Sequence, residues 1–154
     1  MVLIKARAAA GDVEAAKPFL NALEPFVWRR HLDYWAISDV HAIKDMINSK
    51  AGDRSLQDPS ADLKLGPGGI REIEFFVQTL QLIHAGRRPK LQTRSTIVAL
   101  NELLFSGLVS EEERHGLAEA YRYLRHLEHM IQLESGRQTQ RLPMGADALA
   151  LLAK

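Results

Sequence analysis

The sequence predicts an all-α fold, a helical bundle with a long glycine- and proline-containing loop ahead of one distinctive helix. Three observations predict it. Apolar residues recur at three- and four-residue spacing over long stretches, as in Val27, Trp28, Leu32, Trp35, Ala36, Val40, Ile43 and Ile47. Capping residues stand ahead of such stretches and glycines stand behind them. The long stretch without this spacing, residues 50–68, is punctuated by Ala-Gly-Asp-Arg-Ser, Asp-Pro-Ser-Ala-Asp and Gly-Pro-Gly, which mark a loop.

The elements follow in order. Residues 2–9 read as the end of a helix, stopped near Gly11. Asp12 caps a short helix to about Leu23. Pro25 suits the first turn of a long helix reaching about Ser49. After the loop, a helix from Gly69 to about Ala85 is ended by Gly86 and Pro89. Thr93 or Ser95 caps the next, Thr96 to Phe105, closed by Gly107. Ser110-Glu111-Glu112-Glu113 is a capping box opening a helix to about Glu134, ended by Gly136. Residues 145–154 read as the start of another helix. Val2-Leu3-Ile4 reads as mid-helix and Leu149–Leu152 stops without a cap, so the expectation is a piece of a longer protein.

Composition narrows the function classes. The 154 residues suffice for a domain with a core, and 46% apolar and 25% charged residues are ordinary for a globular chain. A net charge of +1 argues neither for nor against nucleic acid, so any basic site is local. With no cysteine, a disulfide framework and cysteine-ligated zinc are excluded. No apolar run approaches the roughly 18–20 residues that span a bilayer, and Lys5 and Arg7 break the apolar start that a signal peptide needs.

Residues 64–78 carry the strongest signal. Lys64, three glycines, Arg71 and two glutamates are packed into a loop that opens onto a helix. Ile70, Ile73, Val77 and Leu80 form an apolar stripe, and Arg71, Glu74, Gln78 and Gln81 form a polar one at the same spacing. Phe75, Phe76, Leu82 and Ile83 leave few directions for solvent, so Arg71 and Glu74 are expected to be partly desolvated and to need partners. Gly68 and Gly69 offer bare amides at a helix N-terminus, a setting that suits a phosphate, with Lys64 within reach. The loop is neither a Walker loop nor a dinucleotide fingerprint. At this point an Arg71–Glu74 ion pair tying helices together and a functional site are both open readings.

Other candidates are weaker. Arg122, Arg125, Glu128 (or His129) and Gln132 make a second polar stripe, beside Leu117, Tyr121, Leu124, Leu127 and Ile131 as core, and structural pairing is the expected role. Arg87, Arg88, Lys90 and Arg94 form a basic patch, either a solvated surface or one facing phosphate. The six histidines form no His-x-x-x-His pair and no Glu-x-x-His di-metal set, so no metal site is assigned. Trp28 and Trp35 are read as core. There is no Asp-x-Asp clamp for a catalytic Mg²⁺ and no Gly-x-Ser-x-Gly nucleophile elbow.

These motifs together resemble a known family. Ile4-Lys5-Ala6-Arg7 with Gly11-Asp12, Pro25-Phe26-Val27 with Arg29-Arg30 and Asp33, and Lys64 through Phe75 carry the resemblance. Gly86-Arg87-Arg88-Pro89, Leu91-Gln92-Thr93-Arg94-Ser95, the Tyr121–Gln132 stretch and Gln138-Thr139-Gln140 extend it. The chain resembles the bifunctional glutamine synthetase adenylyltransferase/adenylyl-removing enzymes over nearly its whole length. The resemblance implies a helical domain following a nucleotidyltransferase domain. Residues 1–11 are then the end of the connecting helix, and 12–154 a helical domain cut at its C-terminus. The Arg-Arg and Ile-Arg-Glu-Ile-Glu-Phe wording implies the N-terminal half, which removes AMP from a tyrosyl of glutamine synthetase by phosphorolysis and releases ADP.

The family's metal-binding aspartates lie upstream of residue 1. The resemblance therefore implies no catalytic residue and no metal ligand here, and a chain inactive by itself. Lys5, Arg7, Lys64, Gly68, Gly69, Arg71 and Arg94 are the candidates to face phosphates, supported by Glu72, Glu74, Gln78, Arg125 and Glu128. Mg²⁺ and ATP/ADP are implied cofactors of the longer enzyme, none held tightly by this chain. The implied partners are glutamine synthetase, the PII signal protein and the enzyme's own nucleotidyltransferase domain, with no nucleic acid and no membrane, in the cytoplasm. Two rivals stand beside this reading: a non-catalytic module docking glutamine synthetase or PII, and the related domain of a PII uridylyltransferase.

Overall fold

The computed structural model of the chain describes residues 2–30 and 62–143. The expected helices over 31–49 and 145–154, and the loop before residue 62, lie outside the described residues. Among those described every regular element is helical, with a single isolated antiparallel bridge between Asp62 and Arg141, as the all-α expectation requires. No helix among them is long and apolar enough to cross a membrane. The chain divides into two compact units, Met1–His41 with Phe76–Arg114 and Ala42–Phe75 with His115–Lys154.

In the first unit a 3-10 turn, Val2–Lys5, precedes helix α1, Val13–Val27. The α-helix expected over 2–9 is absent: past Ile4, which is buried, the run from Ala6 to Ala10 has no large side chain to bury. Helices draw most of their stability from such burial. Asp12 caps α1 as expected, its carboxylate accepting the Ala15 amide at 3.0 Å. The helix does not stop at Leu23 to restart at Pro25. It runs through Pro18 and Pro25 and closes where the Trp28 amide donates to the Glu24 carbonyl at 2.7 Å. No residue of α1 is buried, so carbonyls left without a partner by the two prolines remain open to water, and the usual cost of an interior proline is reduced.

Helix α2, Ile70–His84, contributes its second half to this unit. A 3-10 turn, Pro89–Leu91, and helix α3, Thr96–Phe105, complete it. Ser95 caps α3 by accepting the Val98 amide, and the exit turns through Gly107 at φ 68°. Leu91, Leu100 and Leu103 are fully buried with Val77 and Ala99 and form the centre of this core. Each leucine contributes about 2 kcal/mol on the usual scale of apolar burial. Gln81 is buried too, its amide donating to the Leu91 and Thr93 carbonyls at 2.7 and 2.8 Å. Trp28 is half-buried, and Trp35 lies outside the described residues.

In the second unit the start of α2 joins most of helix α4, Glu111–Ser135. The capping box at the α4 start forms as expected: the Ser110 hydroxyl accepts the Glu113 amide at 3.1 Å, and the Glu113 carboxylate accepts the Ser110 amide at 2.7 Å. Leu63, Ile70, Ile73, Ala118 and Ile131 are buried here. Leu117, Tyr121, Leu124 and Leu127, expected in the core with Ile131, are half-buried, and among the described residues the most deeply buried charged one is Glu128.

Candidate functional site

The loop into α2 is a closed knot of backbone hydrogen bonds. Asp62 organises its first half. Its carboxylate oxygen accepts the Lys64 and Leu65 amides, both at 2.9 Å, and its carbonyl accepts the Gly66 amide at 2.8 Å. The second half folds back on the first: the Gly69, Ile70 and Arg71 amides donate to the carbonyls of Gly66, Leu63 and Lys64. The Glu72 carboxylate accepts the Gly68 amide at 2.7 Å. Gly68 is left-handed at φ 71°, a conformation that disfavours a side chain. A Cβ on Gly69 would stand 2.8 Å from two carbonyl oxygens. The glycines therefore have a packing reason of their own. The amides expected to lie bare at the helix N-terminus are engaged by the chain itself.

Beyond the loop, one charged network joins α2 to α4 within the second unit. Arg125 stands at its centre. Its Nη1 meets Glu128 Oε2 at 2.6 Å, and its Nη2 meets Glu74 Oε1 at 2.9 Å. The Tyr121 hydroxyl donates to the same Glu74 oxygen at 2.9 Å and accepts from Arg125 Nε at 3.3 Å. Glu128 keeps 4% of its side chain exposed, while Lys64 keeps 35% and holds its Nζ 3.9 Å from Glu128 Oε1. Burial by itself lowers the pKa of the Arg125 guanidinium. Its hydrogen bonds to Tyr121 and Glu128, with the negative charge of Glu74, outweigh burial and raise it above the ordinary value. Among the described residues two carboxylates meet two cations, and such pairing is the condition for keeping charges out of water.

The expected Arg71–Glu74 pairing is replaced. Glu74 is half-buried and turns to Arg125 and Tyr121, whereas Arg71 is exposed rather than desolvated. Spacing along α2 put Arg71 and Glu74 in line, but only Glu74 faces α4. Thus the fold brings Lys64, Glu74, Arg125 and Glu128 together, and Gly68 with Glu72. Lys5, Arg7, Gln78 and Arg94 belong to the first unit. There Arg94, with Gln92, Glu24 and Trp28, lines a cleft of about 110 Å³ whose apolar walls include Ile4, Leu20 and Leu23. Lys5, Arg7 and Arg94 are exposed and Gln78 is half-buried. The sequence marked Tyr121 as core and Asp62 as part of the loop, neither as a site residue. An aspartate two residues ahead of Lys64, at the start of a glycine-rich turn, is the signal that marks Asp62.

No three His, Asp or Glu side chains among the described residues are grouped to hold a metal ion. In the second unit the side chain of Arg71 is exposed and that of Lys64 partly so.

Residues 41–154 match the family model described as GlnD PII-uridylyltransferase, and the chain belongs to that family of domains. The particular proteins it is similar to are bifunctional glutamine synthetase adenylyltransferase/adenylyl-removing enzymes. That of Caulobacter vibrioides is 51% identical over 140 residues, covering 91% of this chain and 14% of the relative. That of Mesorhizobium japonicum is 44% identical over 151 residues, 98% of this chain and 15% of the relative. That of Bartonella henselae is 46% identical over 151 residues, 98% and 16%. The resemblance read from the motifs is thereby shown, and the uridylyltransferase domain is a related one that does not account for the chain better. The chain spans about 15% of the length of these relatives.

Proposed function

We propose that this chain is the helical part of an enzyme that controls glutamine synthetase by adenylylation and deadenylylation. It comes from the adenylyl-removing half and forms one wall of the nucleotide cleft. The observation that carries this reading is the similarity over 91% of the chain at 51% identity to an adenylyltransferase/adenylyl-removing enzyme. The second unit supports the wall role, because Lys64 and Arg71 offer cations on a rigid loop and helix start to charge that develops on phosphate.

In the longer protein, residues 1–11 lead out of the nucleotidyltransferase domain, which supplies the metal-binding carboxylates. The described residues here offer Mg²⁺ no seat, so no step is assigned to it on this chain. ATP or ADP fits the reading as the phosphate-bearing ligand. Glutamine synthetase is the substrate protein, the PII protein the regulatory partner, and the cytoplasm the compartment. By itself the chain is inactive.

Two measurements test this. The isolated chain, given adenylylated glutamine synthetase and phosphate, is expected to release no ADP, and clear turnover defeats the reading. In the full-length relative from Caulobacter vibrioides, the counterpart of Arg71→Ala is expected to lower deadenylylation about tenfold or more with Tm unchanged, because Arg71 is exposed. Unchanged activity removes Arg71 from the cleft.

A further inference from the structure

Lys64 is held at its backbone and, more loosely, at its ammonium. Its backbone is fixed from both sides: the amide donates to the Asp62 carboxylate at 2.9 Å and the carbonyl accepts the Arg71 amide at 3.1 Å. Its ammonium is not closed in the same way. Among the described residues its ion pair is with Glu128, at 3.9 Å, too long for a hydrogen bond. Glu128 spends its other oxygen on Arg125 at 2.6 Å, and burial at 3% exposure fixes the carboxylate in place. The result is a cation aimed by a buried carboxylate, with donors left over and a third of its side chain open to water. The backbone hydrogen bonds fix where the side chain leaves the loop, and the Glu128 charge biases where it ends.

From this we infer that Glu128 and Asp62 are positioning residues for Lys64, presetting its ammonium to bind a phosphoryl oxygen of a nucleotide or pyrophosphate. The inference rests on the nucleotide-wall reading above and deepens it. It moves the anion donor from the backbone amides of the glycine loop, which are spent on the chain itself, to one side chain. Glu128 touches no ligand in this scheme. Its charge holds the ammonium near one place, so the ordering cost of the flexible lysine is met before the anion arrives. Asp62 acts one step further back, by shaping the turn from which Lys64 projects.

The two roles that Glu128 can play have opposite signs. If it were only a nearby negative charge, neutralising it would strengthen anion binding. If it positions Lys64, neutralising it weakens binding even though repulsion is removed. The experiment titrates the 154-residue chain with inorganic pyrophosphate and follows the lysine ammonium groups by heteronuclear NMR, with circular dichroism as the check on folding. Wild type is expected to show a saturable shift at Lys64 that Lys64→Met abolishes. Glu128→Gln is expected to bind about tenfold more weakly. Asp62→Ala, with its helix content checked by circular dichroism, is expected to show a comparable loss. Asp62→Asn is expected to restore binding, because its side-chain oxygen still accepts the two amides.

Equal or tighter binding by Glu128→Gln and Asp62→Ala, with Lys64→Met inactive, overturns the positioning role and leaves the nucleotide wall standing. Absence of any pyrophosphate-dependent shift in wild type overturns both together.

Discussion

Gln81 and Glu128 are buried to the same degree, 2% and 3% exposed, yet they use that burial differently. Gln81, in the first unit, is neutral. Its amide nitrogen donates two short hydrogen bonds to the main-chain carbonyls of Leu91 and Thr93 and so pins the turn between α2 and α3. The arrangement is local and complete. Glu128, in the second unit, is charged and answers to cations from its own helix and from the loop, Arg125 and Lys64. Its arrangement is open at the Lys64 end. A buried amide closed on backbone carbonyls is complete in itself, whereas the buried carboxylate leaves one of its cations at 3.9 Å and partly open to water.

The largest effect expected is on the charged side. Arg125→Ala leaves Glu74 and Glu128 without their guanidinium, and removing one member of such a pair costs about 3–5 kcal/mol. Urea unfolding measures it; a loss under about 1 kcal/mol would mean that the network is no more than a surface pairing and would erase the contrast with Gln81. Next comes the neutral side. Gln81→Leu takes the side-chain donor from both carbonyls and leaves that of Leu91 with the Thr93 amide alone, at about 2 kcal/mol. This loss is expected to be the same in low and high salt, while that of Arg125→Ala shifts with salt. Salt dependence in both would blur the distinction.

Smaller still is Ser110→Ala at the α4 cap, about 1 kcal/mol by thermal unfolding. It serves as the scale for a purely local contact. The smallest effect concerns pH. Burial, and then the nearby charge of Arg88, hold the His84 pKa below its ordinary value. The folded chain takes up that proton less readily than the unfolded one. The stability it contributes is therefore complete above about pH 6.5 and is lost as pH falls through the lowered folded value. His84→Gln is expected to flatten the decline of Tm on acidification, and an unchanged slope would assign the decline to other groups.

Helix ends were legible in the sequence wherever the deciding chemistry lay within four residues. Asp12, Ser95 and Ser110 cap the helices expected of them, and α3 and α4 begin and end within a residue or so of the expected places. Pro25 misled because its effect depends on whether the freed carbonyl meets water, a property of the surface and not of the dipeptide. The candidate site was half legible. Lys64, Glu74, Arg125 and Glu128 stood out as polar residues in apolar company, but their pairing did not. Glu74 and Arg125 are 51 residues apart, and nothing in the spacing of α2 chooses Arg125 over Arg71.

By itself, then, the sequence determined that the chain is helical, where most helices start and stop, and to which family it belongs. Those signals are local hydrogen-bonding and periodicity, or motif identity, and need no partner. Tertiary structure alone decided which polar groups are closed and which are left open: the glycine-loop amides, satisfied within their own turn, and Lys64, held 3.9 Å from Glu128. The physical reason is that burial and pairing are set by what packs across from a residue, and the residue's own neighbours in the chain do not specify it.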